Sequence, residues 1–413
     1  MRKVLIITLS LFFLFLVSSM GNASEVPGVT DKAIKIGYIV DLTASNAYYG
    51  KQTLAAMRAL YKQVNGRGGI HGRKLDLVVH EAGDNPVKQV AAYKYLVSKH
   101  DPFMFGQGIA SSALTAVFPF VQGNKIPLTA VVSLSSTMHN PFKRYVFSTH
   151  AAGRDCSIVA LDYLMNKLIY NDPRFKDREI RLGINYQDDE YGKDYMRGWR
   201  LAAKKYGLKI VAEESFKRGS VDVVSQVLNL RRLGANYVYQ TSAMASIAAT
   251  LQEAHRLGYH PQFIGDGGMC VKKFIDVVQE AAEGAWGVTF TAHAEENSPG
   301  MKRLKNITKK YQPDARMDMF YIWGWVNSMV GIEGLERAGR NLTREGLIEA
   351  LETFKDRPFS TNGLSGDIIY SSKSHKGGGS MRMWRTDLKK GIFVPFTDWM
   401  RPSIEEHIDM PKE

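Results

Sequence analysis

Two serine pairs stand where a chain alternating strands and helices would place ligands for an anion. In GQGIASSA, residues 106–113, Ser111 and Ser112 leave a β-rich run and open a helical pattern. Hydroxyls and free backbone N–H groups at such a point can hold a carboxylate, although simple helix capping would use the same residues. SLSS, residues 133–136, follows another β-rich run; Ser133 and Ser135 could add hydroxyl donors nearby or form only a polar loop. Tyr49-Gly50 and Tyr191-Gly192 occupy corresponding places at two helix starts, where an aromatic wall could close on a ligand or simply pack. In GDGGM, residues 265–269, Asp266 is a lone carboxylate among small residues. It suits a ligand ammonium or hydroxyl, and equally a plain turn.

Catalytic groupings are absent from the sequence. There is no GxSxG, HExxH, CxxC or CxxCH, and the ten histidines are scattered, so hydrolase, zinc-protease and redox chemistries have no motif to rest on. We therefore expect no enzymatic activity, no cofactor and no bound metal. The glycine-rich NGRGGIHGRK, residues 65–74, fails as a phosphate loop. It leaves a helix and enters a strand, the reverse of a dinucleotide fingerprint, and His71 stands where the third glycine would be. It also lacks the Gly-Lys-Ser/Thr ending of a P-loop. A helix stop followed by a glycine-permitted turn accounts for it.

The elements that must position these residues form two similar arrays. IKIGYIV (34–40), KLDLVV (74–79), FMFG (103–106) and IPLTAVV (126–132) read as strands, separated by helical patterns over 50–64, from Val87 to Tyr95, and over 111–121. The rhythm restarts near 148–156. IRLGIN (180–185), LKIVAEESF (208–216), YVYQ (237–240) and QFIG (262–265) then alternate with helices over 191–206, 221–233 and 245–257. Such alternation predicts parallel sheets covered by helices, hence an α/β fold of two lobes. A long apolar helix near 318–338 and strand-like pieces near 366–370 and 380–386 should complete both.

A chain of 413 residues, 45% hydrophobic and 23% charged, is long enough for two domains. Arg2 and Lys3 precede an apolar run from Val4 to Val17 and a small-residue ending at Ala23. This is the layout of a secretory signal, so residues 1–23 are expected to be cleaved; an uncleaved anchor is the alternative. Loss of Arg2 and Lys3 lowers the formal charge from +13 to +11. No run of five basic residues occurs, which argues against nucleic-acid binding. Cys156 and Cys270 are expected to be buried free thiols.

IKIGYIVDLT followed by YYG, then NGRGGIHGRKLDLVVHEAGDNP, DDEYGKDYMRGW and AAEGAWGVT, in that order and spacing, resemble the leucine/isoleucine/valine-binding group of periplasmic solute-binding proteins. The likeness runs from about 33 to 390. It implies the type I periplasmic binding protein fold, two Rossmann-like lobes joined by three crossovers and closing over one ligand, with delivery to the membrane permease of an ABC importer. It implies a periplasmic monomer whose N-terminal lobe is 33–148 plus about 290–365 and whose C-terminal lobe is 149–289 plus about 366–400. A ligand sensor signalling through a separate membrane partner is the alternative. By the same resemblance, Tyr49 and Tyr191 wall the pocket, Ser111 binds the ligand carboxylate, and Val132 to Ser135 form the next carboxylate-binding loop. Phe320 or Tyr321 falls on an apolar wall. The sequence departs from the group where the ligand ammonium is held: Gly267 replaces a glutamate, with Asp266 beside it. Ser242 and Met244 stand where a tyrosine is expected, and Gly83 and Ala110 replace the disulfide. A branched-chain amino acid and a carboxylate with another substituent both remain open.

Overall fold

The computed structural model describes residues 26–168 and 179–404; the expected signal segment lies outside them. Two sheets organise the chain. The first has the order β2-β1-β3-β4 and is wholly parallel. Its strands are β1 (Ala33–Val40), β2 (Lys74–Glu81), β3 (Met104–Ile109) and β4 (Val131–Val132). Between them run α1 (Ala47–Gly66), α2 (Pro86–His100) and α3 (Ser111–Asn124). Leu54, Met57, Leu60, Tyr61 and Val64 give α1 a buried stripe against β1, the spacing that a 3.6-residue period demands.

The second sheet has the order β11-β10-β9-β8-β7-β5-β6. Its parallel part is β5 (Arg181–Gln187), β6 (Lys209–Phe216), β7 (Tyr237–Thr241), β8 (Gln262–Gly265) and β9 (Trp286–Thr289). The antiparallel edge is β10 (Arg382–Asp387) and β11 (Ile392–Pro395). Its helices are α4 (Gly153–Tyr163), α5 (Glu190–Lys205), α6 (Val224–Arg232), α7 (Met244–Arg256) and α8 (Lys272–Val278). The chain then returns through α9 (Pro299–Tyr311), α10 (Met319–Ala338) and α11 (Arg344–Glu352) to the first sheet. Two hydrophobic cores result, and the chain crosses between them after Phe147, after Phe290 and after Tyr370.

Two expected strands are shorter than the sequence suggests. In 126–132 only Val131 and Val132 join the ladder, Leu128 making isolated bridges to Phe105 and Val146. In 366–370 a single bridge, Phe359 to Ile368, replaces the strand. The first is a buried apolar run and the second alternates buried Ile368 and Tyr370 with exposed Asp367 and Ile369, and neither pattern alone says whether a ladder partner is available. Cys156 and Cys270 are buried free thiols, whose ionisation burial pushes well up.

The glycine-rich 65–74 segment is a turn. Gly68, Gly69, His71 and Gly72 all have positive φ, and a β-carbon on Gly69 would lie 1.9 Å from the Arg73 carbonyl oxygen. Asn65 ties the helix end to β2 by accepting from Leu75 N at 2.7 Å and donating to Leu75 O at 2.9 Å. Arg67 pairs with Glu336 at 2.6 Å, and the Arg73 guanidinium donates to the Arg340 carbonyl at 2.6 Å. The basic side chains thus anchor the C-terminal end of α10. Twenty residues of helix span about 30 Å, which sets this turn far from the first turn of α10.

Candidate functional site

The first turn of α10 meets the carboxyl ends of both sheets, where open α/β sheets bind ligands. Helix α10 is buried along most of its length. Gln107 on β3 holds it by donating to Gly324 O and Ser328 Oγ, each at 3.1 Å. Asp318 caps it, accepting from Phe320 N at 3.0 Å and Tyr321 N at 3.1 Å, and also receives the Tyr48 hydroxyl. Phe320 is thereby presented to Tyr49, the rings stacking with centroids 4.1 Å apart.

Between the sheets lies a cavity of about 60 Å³. A single water requires roughly 10–15 Å³, so this space suits a small organic molecule. Of the ten residues singled out in the sequence, six line it: Tyr49, Ser111, Ser133, Tyr191, Ser242 and Phe320. Ser111 is the first residue of α3, and its N-cap, Ala110, forms no side-chain cap. The Ser111 hydroxyl instead meets Ser133 Oγ at 2.7 Å. The two serine loops are thus joined into one polar patch, and capping is not what Ser111 does.

Four of the ten are not among the lining residues. Ser112 lies one residue further along α3. Ser135 caps a short 3-10 turn and contacts Thr137 Oγ1 at 2.9 Å and Glu190 at 3.4 Å. Tyr321 turns into the first core, its hydroxyl 2.8 Å from Thr308 Oγ1. Asp266 sits behind the wall, accepting from Tyr191 OH at 2.6 Å and from Gly268 N at 2.6 Å. It is fully buried; burial pushes its carboxyl up to about 6 despite the Tyr191 and Gly268 hydrogen bonds. The same burial, with Asp266 adding to it, drives the Tyr191 hydroxyl well above its ordinary range.

The glycines of the two Tyr-Gly pairs have a shared cause. A β-carbon on Gly50 would lie 1.9 Å from Asp41 O, and one on Gly192 would lie 2.0 Å from Gln187 O. Each helix start is pressed against the carbonyl that ends the preceding strand region, and this close approach sets the neighbouring tyrosine at the cavity.

Arg218, which the sequence reading passed over, also lines the cavity. It pairs with Asp84, which follows the first sheet's β2, and reaches Asp189 at 3.5 Å. Asp84 additionally accepts from Ser45 Oγ at 2.8 Å and Asn46 Nδ2 at 2.9 Å. Burial pushes its carboxyl up to about 6, and Arg218 opposes the rise. This bridge between lobes closes the inner cavity off from an outer one of about 330 Å³, where Glu81, Asp84 and Lys88 lie. Gln187, Trp323 and Met319 also belong to the part of the inner wall that was missed. No local pattern marks these residues, because each comes from a different loop or from the buried helix. Among the described residues there is no cluster able to hold a metal and no helix long and apolar enough to cross a membrane.

The periplasmic binding protein family matches residues 33–391. Leu/Ile/Val-binding protein homolog 7 of Brucella abortus is 23% identical over 326 residues, 76% of this chain and 79% of that protein. Homolog 8 of the same species is 26% identical over 292 residues, 68% and 71% of the two chains. In fold, the chain is similar to a fatty acid ABC transporter substrate-binding protein from Thermomonospora curvata. That likeness has a TM-score of 0.81 and 24% identity, covering 93% of this chain and 95% of the other. It is similar also to a branched chain amino acid ABC transporter from Thermus thermophilus with bound valine, with a TM-score of 0.80, 20% identity, and coverage of 91% and 98%.

Proposed function

Because the chain belongs to the periplasmic binding protein family, in its leucine/isoleucine/valine-binding group, and is thus a binding protein and not an enzyme, we propose that it captures a small carboxylate ligand between its lobes. It hands that ligand to the membrane permease of an ABC importer. The carrying observation is the inner cavity, which Ser111 enters from the first lobe and Tyr191 from the second. A ligand touching both lobes binds the closed arrangement better than an open one, and so biases hinge closure.

In this reading Ser111 and Ser133 receive the carboxylate, while Tyr49, Tyr191 and Phe320 wall the rest of the ligand. Ser242 lines the second lobe's side, hydrogen bonded to Gln187 at 3.2 Å. Ser112, Ser135, Asp266 and Tyr321 support these groups without lining the cavity. The protein acts as a periplasmic monomer, exported by a signal that ends at Ala23, and does not bind nucleic acid. The lobes comprise 33–148 with about 290–370, and 149–289 with the chain to about 400; the packing of Tyr370 in the first core supports that third boundary.

The test is thermal unfolding with a panel of amino acids, aromatic acids, dicarboxylates and amides. At about 100 times its dissociation constant, a ligand adds roughly 2.7 kcal/mol. Stabilisation by at least one carboxylate is the expected result, and none by any compound overturns the reading. Ser111→Ala should weaken a carboxylate ligand by about 10- to 100-fold, the worth of one hydrogen bond to a charged group. An unchanged affinity removes Ser111 from the site.

A further inference from the structure

We infer that the ligand is a small acid with an apolar body and no ammonium group, an inference that rests on the inner cavity being the ligand site. The lining residues include one charged side chain, the cation Arg218, and no carboxylate. Two of them carry buried polar atoms without a partner, Arg218 Nε and Trp323 Nε1. Both are N–H groups that can only donate, so each calls for an acceptor. Trp323 is itself only 4% exposed, and leaving its N–H unmet is costly.

Two helices begin at the cavity with an alanine at the N-cap, Ala110 before α3 and Ala243 before α7, and neither start has a side-chain cap. Serine, threonine, asparagine or aspartate would ordinarily stand there. Their absence leaves the positive end of α3 facing the cavity from the first lobe, while at the start of α7 the Met244 N–H lies beside the Tyr49 hydroxyl. The wall's one charge, its unmet N–H groups and the open start of α3 therefore favour an acceptor or an anion.

An ammonium would need a carboxylate, and those around the cleft are turned to other donors. Asp266 faces Tyr191 OH and Gly268 N. Asp189 receives Gln187 Nε2 at 2.6 Å and Gly192 N at 3.2 Å. Asp318 caps α10, and Glu190 pairs with Arg197 at 2.5 Å. Asp84 opens on the outer cavity, beyond Arg218. A zwitterion in the inner cavity would bury a cation among donors, and an unpaired buried charge is strongly unfavourable.

Matched pairs that differ only by the ammonium group test this: 3-methylbutanoate with valine, 4-methylpentanoate with leucine, 3-phenylpropanoate with phenylalanine. Titration calorimetry on protein freed of copurified compounds should show the amine-free member binding about tenfold or more tightly in each pair that binds. An amino acid that binds as tightly as its amine-free counterpart overturns the substrate class and leaves the receptor reading standing. No binding by any member also overturns the substrate class, and the receptor reading then stands or falls on the wider thermal panel. Mass spectrometry of compounds released on denaturation reads the same question: an acid without basic nitrogen supports the inference, and an amino acid refutes it.

Discussion

Replacing Asp266 by asparagine isolates the cost of a buried charge behind the cavity wall. The carboxyl has no exposure; the Tyr191 hydroxyl and Gly268 N–H hold it, with Thr241 and the Ser242 backbone beside it. Its value near 6 lies above the ordinary 3.8, so the folded state holds a proton there that the unfolded state releases. Between those two values stability must therefore rise as pH falls. That rise corresponds to about 3 kcal/mol at full effect, of which about 2 kcal/mol accrues between about pH 7.5 and 4.5. The asparagine side chain of the Asp266→Asn variant carries no such charge. Its oxygen can accept from Gly268 N, and its amide can donate to the Tyr191 oxygen, since a phenol serves as donor or acceptor. Denaturant unfolding of both proteins across that range should show the wild type gaining about 2 kcal/mol on Asp266→Asn as the solution is acidified. Subtracting one curve from the other removes the opposing contribution of His150, whose imidazole burial holds down to about 4 in both proteins. Parallel curves, within a few tenths of a kcal/mol, would show that Asp266 titrates normally and that Tyr191 is not held by a strained carboxylate.

Arg218→Ala leaves Asp84 and Asp189 without their shared cation; with Arg218 itself 28% exposed, the expected loss is about 1–3 kcal/mol. That loss should shrink as pH falls towards about 6, because Asp84, without the cation that opposes its rise, takes up its proton at a higher pH in the variant than in the wild type, and small-angle scattering should show a larger open population; an unchanged scattering profile rejects the bridge between lobes. Gly192→Ala forces a β-carbon against Gln187 O, and should cost about 1–3 kcal/mol and lower ligand affinity by moving Tyr191. Gly69→Ala meets a similar clash at positive φ but far from the cavity, so calorimetry should find its affinity unchanged; equal losses of affinity in both variants would contradict the separation of the turn from the site.

The alternation of strands and helices was readable because the inner parallel strands, such as β7, are buried on both faces and each covering helix carries one apolar stripe. β1, β2, β5, β6, β7 and β8 follow the expected runs closely, whereas β3 runs three residues beyond its expected end. β9 and β11 were not assigned as strands, being short pieces of four residues each that belong to a sheet only because distant strands pair with them. At the site, legibility followed the same line. Ser111, Ser133, Tyr191 and Ser242 sit just past strand ends, and Tyr49 lies in the first turn of the helix after β1, places that the strand-to-helix switch in the sequence announces. Arg218 also follows a strand, β6, but its importance comes from Asp84, 134 positions earlier in the chain. Trp323 lies inside an unbroken apolar helix, so composition reads it as core. Asp266 drew attention as a lone carboxylate, yet its partners turn it away from the cavity and into a support for Tyr191.

The two lobes solve one problem in the same way, and this bears on how binding is coupled to closure. In each, a glycine lets a helix start press on a strand-end carbonyl, and the residue before that glycine is a tyrosine facing the cavity. In each, another helix begins there with an alanine where a capping side chain would stabilise it by about 1 kcal/mol. Ala110 even holds a φ of 76°, a conformation that a β-carbon resists. These are local costs with no return inside either lobe. In the proposed binding mode an acceptor in the cavity, placed near both helix starts, would offset them, and the energy withheld from folding would then favour a ligand that closes the lobes.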